Sequence, residues 1–118
     1  MRTTPEHIQS LEPHEIFVFG SNIQGAHGGG AARVAHQQFG AQYGVGEGLT
    51  GQTYALPSME GKEAFRAAAQ RFMDFAATRP DLTFLLTKVG CGIAGYRESE
   101  VSQWFAEAPD NVVKPPGW

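Results

Sequence analysis

Between Ile16 and Phe39 the chain reads IFVFGSNIQGAHGGGAARVAHQQF, and no other stretch narrows its fold so far. The apolar run Ile16 to Phe19 suits a buried strand. It breaks at Gly20-Ser21-Asn22, passes through Gly25 and the triplet Gly28-Gly29-Gly30, and enters a helix at Ala31. From Ala31 to Phe39, Ala31, Val34, Ala35 and Gln38/Phe39 fall on one face at helical spacing, and Gly40 suits the C-terminal cap. A strand, a glycine-rich turn and a helix start make an anion site in principle. Glycines admit a ligand close to the backbone, and the unpaired N–H groups of the first helical turn favour negative charge. The expected guest is a phosphate or diphosphate, although glycines also serve tight connections that hold nothing.

The rest of the chain alternates. Residues before Glu15 are polar, carry Pro5 and Pro13, and read as a loosely packed lead-in. Ala41 to Gly51 reads as a glycine-broken loop, and Thr53 to Leu56 as a short strand closed by Pro57. Lys62 to Thr78 is the clearest helix, with Phe65, Ala68, Ala69, Phe72, Phe75 and Ala76 in one apolar stripe. Leu82 to Val89 reads as a second central strand, near-continuously apolar as parallel strands covered on both faces tend to be. A second glycine loop, Gly90 to Gly95, leads to a helix from Glu98 to Ala106, and Val112 to Lys114 adds a last strand. Strands alternating with helices predict one α/β domain over residues 1–118, a three-layer α/β/α arrangement with a mostly parallel mixed sheet. Both glycine loops then follow strands at the carboxyl edge of that sheet, where such folds hold ligands.

Composition removes several alternatives. The formal charge is −3 and no Lys/Arg cluster occurs, so a nucleic-acid backbone is not the expected partner. A small phosphate-bearing molecule is compatible with that charge, because backbone N–H groups bind anions without cationic side chains. Fifteen glycines are about twice the usual share, and they gather in the loops. Cys91 is the lone cysteine, which excludes an internal disulfide and a cysteine zinc site. The four histidines, His7, His14, His27 and His36, show no metal-ligand spacing, so neither a metal nor a cofactor is expected. With no long apolar run and no charged-then-apolar leader, a membrane partner is not expected. A reducing cytoplasm, bacterial or virus-infected, fits this pattern.

The order of these motifs resembles the macrodomain family. Asn22 precedes Gly28-Gly29-Gly30 and a helix; Thr50-Gly51-Gln52-Thr53-Tyr54-Ala55-Leu56-Pro57 follows; Val89-Gly90-Cys91-Gly92-Ile93-Ala94-Gly95-Tyr96 precedes another helix. Macrodomains bind ADP-ribose, and some hydrolyse ADP-ribose conjugates. The G-C-G form of the last loop is similar to the branch of glutamate-linked ADP-ribose hydrolases and DNA ADP-ribosylation antitoxins, and to compact phage and bacterial proteins. The resemblance spans roughly Ile16 to Phe105. It implies a partner that is ADP-ribose, a related nucleotide, or an ADP-ribosylated macromolecule.

On that resemblance, Gly20, Ser21, Asn22, Gly28, Gly29 and Gly30 would lie along one side of a diphosphate. Gly90, Cys91, Gly92, Ile93, Ala94, Gly95 and Tyr96 would lie along the other. Asn22 would reach ribose hydroxyls or help to orient a water, or else serve a turn. Tyr96 would stack on a ribose or base, or else pack in the core. Cys91 is a packing residue unless a base stands beside it. The hydrolase branch's acidic residue is replaced by Ile93 or Ala94, and its lysine would fall near Ser58 or Met59, with Lys62 the nearest. Asn22, Glu47 and His27 are therefore the remaining catalytic candidates, with a solvated reading open for Glu47 and His27. Three functions stay open: an ADP-ribose module with hydrolysis as its extension, a nucleotide or phospho-sugar hydrolase using Glu47 or His27, and a non-catalytic interaction protein.

Overall fold

A computed structural model describes residues 2–26, 30–92 and 94–118. Its elements are β1 (Glu15–Ser21), α1 (Gly30–Gln38), β2 (Gly48–Thr50), β3 (Thr53–Pro57), α2 (Lys62–Ala77), β4 (Thr83–Leu86), α3 (Glu98–Trp104) and β5 (Val112–Val113). The five strands form one sheet in the order β2-β3-β1-β4-β5. The β1–β3, β1–β4 and β4–β5 pairs are parallel, and β2 runs antiparallel to β3. The small α/β fold expected from the alternation is present. No helix among the described residues is long and apolar enough to cross a membrane.

Alternation along the central strands sorts the core into two layers, because successive side chains leave a strand on opposite faces. Ile16, Val18, Tyr54, Leu56, Phe84 and Leu86 face α2 and α3, joined there by Phe65, Phe72, Val101 and Phe105. Phe17, Phe19 and Ala55 face the other way, onto Ala32, Ala35 and Phe39 of α1 and its end, with Ile8 and Leu11 packed alongside. Phe72 sits at the centre of the thicker layer, with ring centroids 5.0 Å from Tyr54, 5.5 Å from Phe84 and 6.3 Å from Phe105.

Two elements differ from the sequence reading. The stretch read as a loop from Ala41 to Gly51 contains β2, whose register pairs Leu49 with Tyr54. Strand β4 stops at Leu86, three residues short of Val89. There the Thr87 hydroxyl donates to the Val18 carbonyl at 2.7 Å, the carbonyl that the Thr87 N–H also reaches, and the Val89 N–H bonds back to Thr87. The stretch read as strand extends to Val89, but β4 ends at Leu86.

The lead-in carries no helix or strand among its described residues, yet it is tied down. The Thr4 N–H donates to Lys114 and its hydroxyl to Val113, covering the β5 edge. Arg2 pairs with the buried Glu15 at 2.6 Å, and the Glu12 N–H donates to the same carboxylate at 2.9 Å. Burial alone would raise the Glu15 pKa; the Glu12 N–H and Arg2 outweigh it and hold it below the ordinary 4.5. A depressed folded pKa gives stability that is present above the ordinary value and lost as pH falls through the folded one. Unfolding midpoints in urea should therefore decline below about pH 4.5, and Glu15→Gln should flatten that decline while lowering stability at pH 7 by about 1 kcal/mol, modest because Arg2 is half exposed. An unchanged acid limb in the variant would show that Glu15 does not carry it.

Candidate functional site

Strand β1 is the place where the order of the parallel strands reverses. From β1 the chain passes through α1 to β3 on one side, then through α2 to β4 on the other, with the two helices on opposite faces. A crevice opens beyond the carboxyl ends of strands at such a switch. The register leaves room for it. Strand β1 runs three residues past Val18, which pairs with Leu86 at the end of β4, while its last residue Ser21 pairs with Pro57.

A cleft of about 790 Å³ lies there, a size suited to a nucleotide. Gly20, Ser21 and Asn22 line it from β1, Gly30, Ala31 and Ala32 from the start of α1, and Gly90, Cys91, Gly92 and Ala94 from the second glycine turn. The two turns, remote in sequence, thus share one cleft. His27, Gly28, Gly29 and Ile93 lie outside the described residues. Gly95 and Tyr96 do not line the cleft. Tyr96 packs instead on Phe65 and Trp104, at centroid distances of 5.2 and 6.3 Å, so the core role open to it is the one it occupies.

The first turn is braced from behind. The Ser21 hydroxyl donates to the Gly46 carbonyl, and the Gly44 N–H to Gly25. A Cβ on Gly46 would stand 2.3 Å from the Ile23 carbonyl oxygen, so only glycine permits this approach. Within the turn Asn22 closes a loop onto Ala26, accepting from its N–H at 3.0 Å and donating to its carbonyl at 3.3 Å. The turn role of Asn22 is therefore occupied; its amide retains one further donor and one further acceptor.

The second turn spends three N–H groups on itself. Cys91 donates to Lys88, Gly95 to Gly92 and Tyr96 to Gly90. The N–H groups of Gly90, Gly92 and Ala94 have no backbone partner among the described residues. Cys91 is half-buried, its Sγ lies 3.5 Å from the Val89 carbonyl oxygen, and burial followed by the Glu98 charge pushes its thiol pKa up. A raised thiol is a poor nucleophile.

Glu47, a catalytic candidate with a solvated role also open, lies away from the cleft. Its carboxylate takes a two-pronged contact from Arg71 of α2, at 2.7 and 2.9 Å, and it does not line the cleft. Nearby, burial and then Glu47 push the Tyr54 phenol up to about 12. The loop carrying Glu47 turns its side chain toward α2, because Gly46 is held against the back of the first turn.

Lys88 and Glu98 are the charged groups among the described lining residues, and the sequence reading missed both. They pair across the mouth at 3.3 Å, each side chain about half exposed. The Trp118 indole N–H also donates to Glu98 at 3.2 Å; that bond and then Lys88 hold the Glu98 carboxyl below its usual range. Ser58, almost wholly buried, and Met59, about half exposed, add a hydroxyl and an apolar rim. The signal available for Lys88 and Ser58 was positional: each lies just past a parallel strand at the edge where ligands bind.

Compared with protein-family models, with curated proteins and with solved structures, the chain gives no match.

Proposed function

We propose that this protein is a macrodomain-like module whose cleft binds ADP-ribose or a related NAD-derived nucleotide by its diphosphate. The observation that carries the reading is the meeting of two glycine turns in one cleft at the point where the strand order reverses. On one side the start of α1 would offer its first-turn N–H groups and the positive end of its dipole. On the other, the N–H groups of Gly90, Gly92 and Ala94 would donate to the second phosphate, where a side chain would obstruct approach. Met59 and the depth of the cleft leave apolar surface for a ribose or base.

Binding is better supported than turnover. Glu47 is committed to Arg71, the Cys91 thiol is raised, and Asn22 closes its own loop. Hydrolysis of an ADP-ribose link, with Asn22 helping to orient a water, is the extension of the proposal. Calorimetric titration with ADP-ribose tests the first part: saturable heat at a one-to-one ratio is expected, and no heat with no thermal shift at millimolar ligand would end the reading. Incubation with ADP-ribosylated protein, ADP-ribosylated DNA and O-acetyl-ADP-ribose separates a binder from a hydrolase.

A further inference from the structure

We infer that Lys88 is the side-chain cation that receives the ligand's phosphate in this cleft, and that Glu98 is a built-in competitor which the ligand must displace. The inference rests on the cleft being a diphosphate site. Among the described residues, five ion pairs are present, at 2.6, 2.7, 2.7, 2.9 and 3.3 Å, and the Lys88–Glu98 pair is the longest. Arg71 and Arg79 are each gripped by two contacts to one carboxylate, and Lys62 is held by Glu100 at 2.7 Å. Lys88 alone of these cations lines the cleft. It stands two residues before Gly90, next to the turn in which the N–H groups of Gly90, Gly92 and Ala94 lack backbone partners among the described residues.

Glu98 has a second attachment. The Trp118 indole holds it, and the indole ring is stacked near Phe105 at 5.9 Å. When a phosphate draws Lys88 away, Glu98 keeps that partner and stays at the mouth. Lys88 is a flexible point charge with three donors, so it can exchange a carboxylate for a phosphate by rotation of its own chain. Without ligand, Glu98 occupies the cation; with ligand, the phosphate does. The resident carboxylate therefore lowers affinity for every anion, and its removal should tighten binding through Lys88.

The test measures ADP-ribose and inorganic pyrophosphate binding by calorimetry to the wild type, Lys88→Met, Glu98→Gln and the double variant. The Glu98→Gln change keeps an oxygen for the Trp118 indole while removing the charge. Lys88→Met is expected to weaken both ligands about tenfold, as loss of a charge-assisted hydrogen bond does. Glu98→Gln should strengthen both about threefold in the wild-type background and by less in the Lys88→Met background. Thermal midpoints of all three variants should stay near wild type, since the pair is exposed. Wild-type-like affinity in Lys88→Met, or an equal Glu98→Gln effect in both backgrounds, would overturn the inference while leaving ADP-ribose binding standing. Pyrophosphate binding that depends on Lys88, without ADP-ribose binding, would uphold it and remove the nucleotide reading. Binding of neither ligand by the wild type would overturn both.

Discussion

Gly92→Val should keep the fold and lose the ligand. Gly92 is exposed, lines the cleft, and a Cβ built on it meets nothing within 4 Å among the described residues. Its backbone is not in the left-handed region, so valine is accommodated without strain and the thermal midpoint should move by no more than about 2 °C. The new side chain would stand where a phosphate must approach the turn. Loss of two charge-assisted hydrogen bonds is worth about 3 kcal/mol or more, so ADP-ribose affinity should fall at least about 100-fold. Calorimetry reads the affinity and circular dichroism the fold. Full affinity in a folded Gly92→Val protein would mean that the second turn does not touch the ligand.

Two residues earlier the same substitution should act on stability instead. Gly90 has φ +75°, and a Cβ there would lie 2.3 Å from Cε2 and 2.6 Å from Cζ of Phe65, which is fully buried. A branched residue in the left-handed region costs about 1–2 kcal/mol, and overpacking a rigid aromatic adds about 1–3 kcal/mol. Gly90→Val should therefore destabilise by roughly 3–4 kcal/mol and lower the melting temperature by about 10–15 °C, with binding lost as a consequence. A variant melting within about 3 °C of wild type would show that Phe65 does not pack beneath the turn as described. The contrast between Gly90 and Gly92 separates a glycine the fold needs from one the ligand needs.

The legible parts of the chain were those whose periodicity is long. The run Ile16 to Phe19 lies within β1, where its residues alternate between two core layers. The stripe from Phe65 to Ala76 placed the end of α2 within a residue of the observed one, because a one-faced pattern along most of a sixteen-residue helix leaves little freedom. The carboxyl-edge rule alone places Gly30 and Gly92 together across 62 positions of chain, and both line the cleft. What stayed hidden depended on partners rather than on local pattern. Strand β2 is three residues long, begins at Gly48 and is followed by Gly51, and it exists because Tyr54 and its neighbours offer an edge to pair with. Glu47 looked like a site acid from its glycine-rich surroundings, but Arg71, on a helix 24 positions away, takes it. Glu98 opens α3 as a first-turn acid, and only Lys88 and Trp118 meeting at its carboxylate place it at the mouth of the cleft.

The central claim is that two turns grip one diphosphate, and amide shifts recorded by NMR during an ADP-ribose titration test it most directly. The backbone N–H signals of Gly30 and Ala31 at the start of α1, and of Gly90, Gly92 and Ala94 after β4, are predicted to move together along one binding curve with a common dissociation constant. Movement confined to one turn, or two turns following different curves, would contradict the shared site.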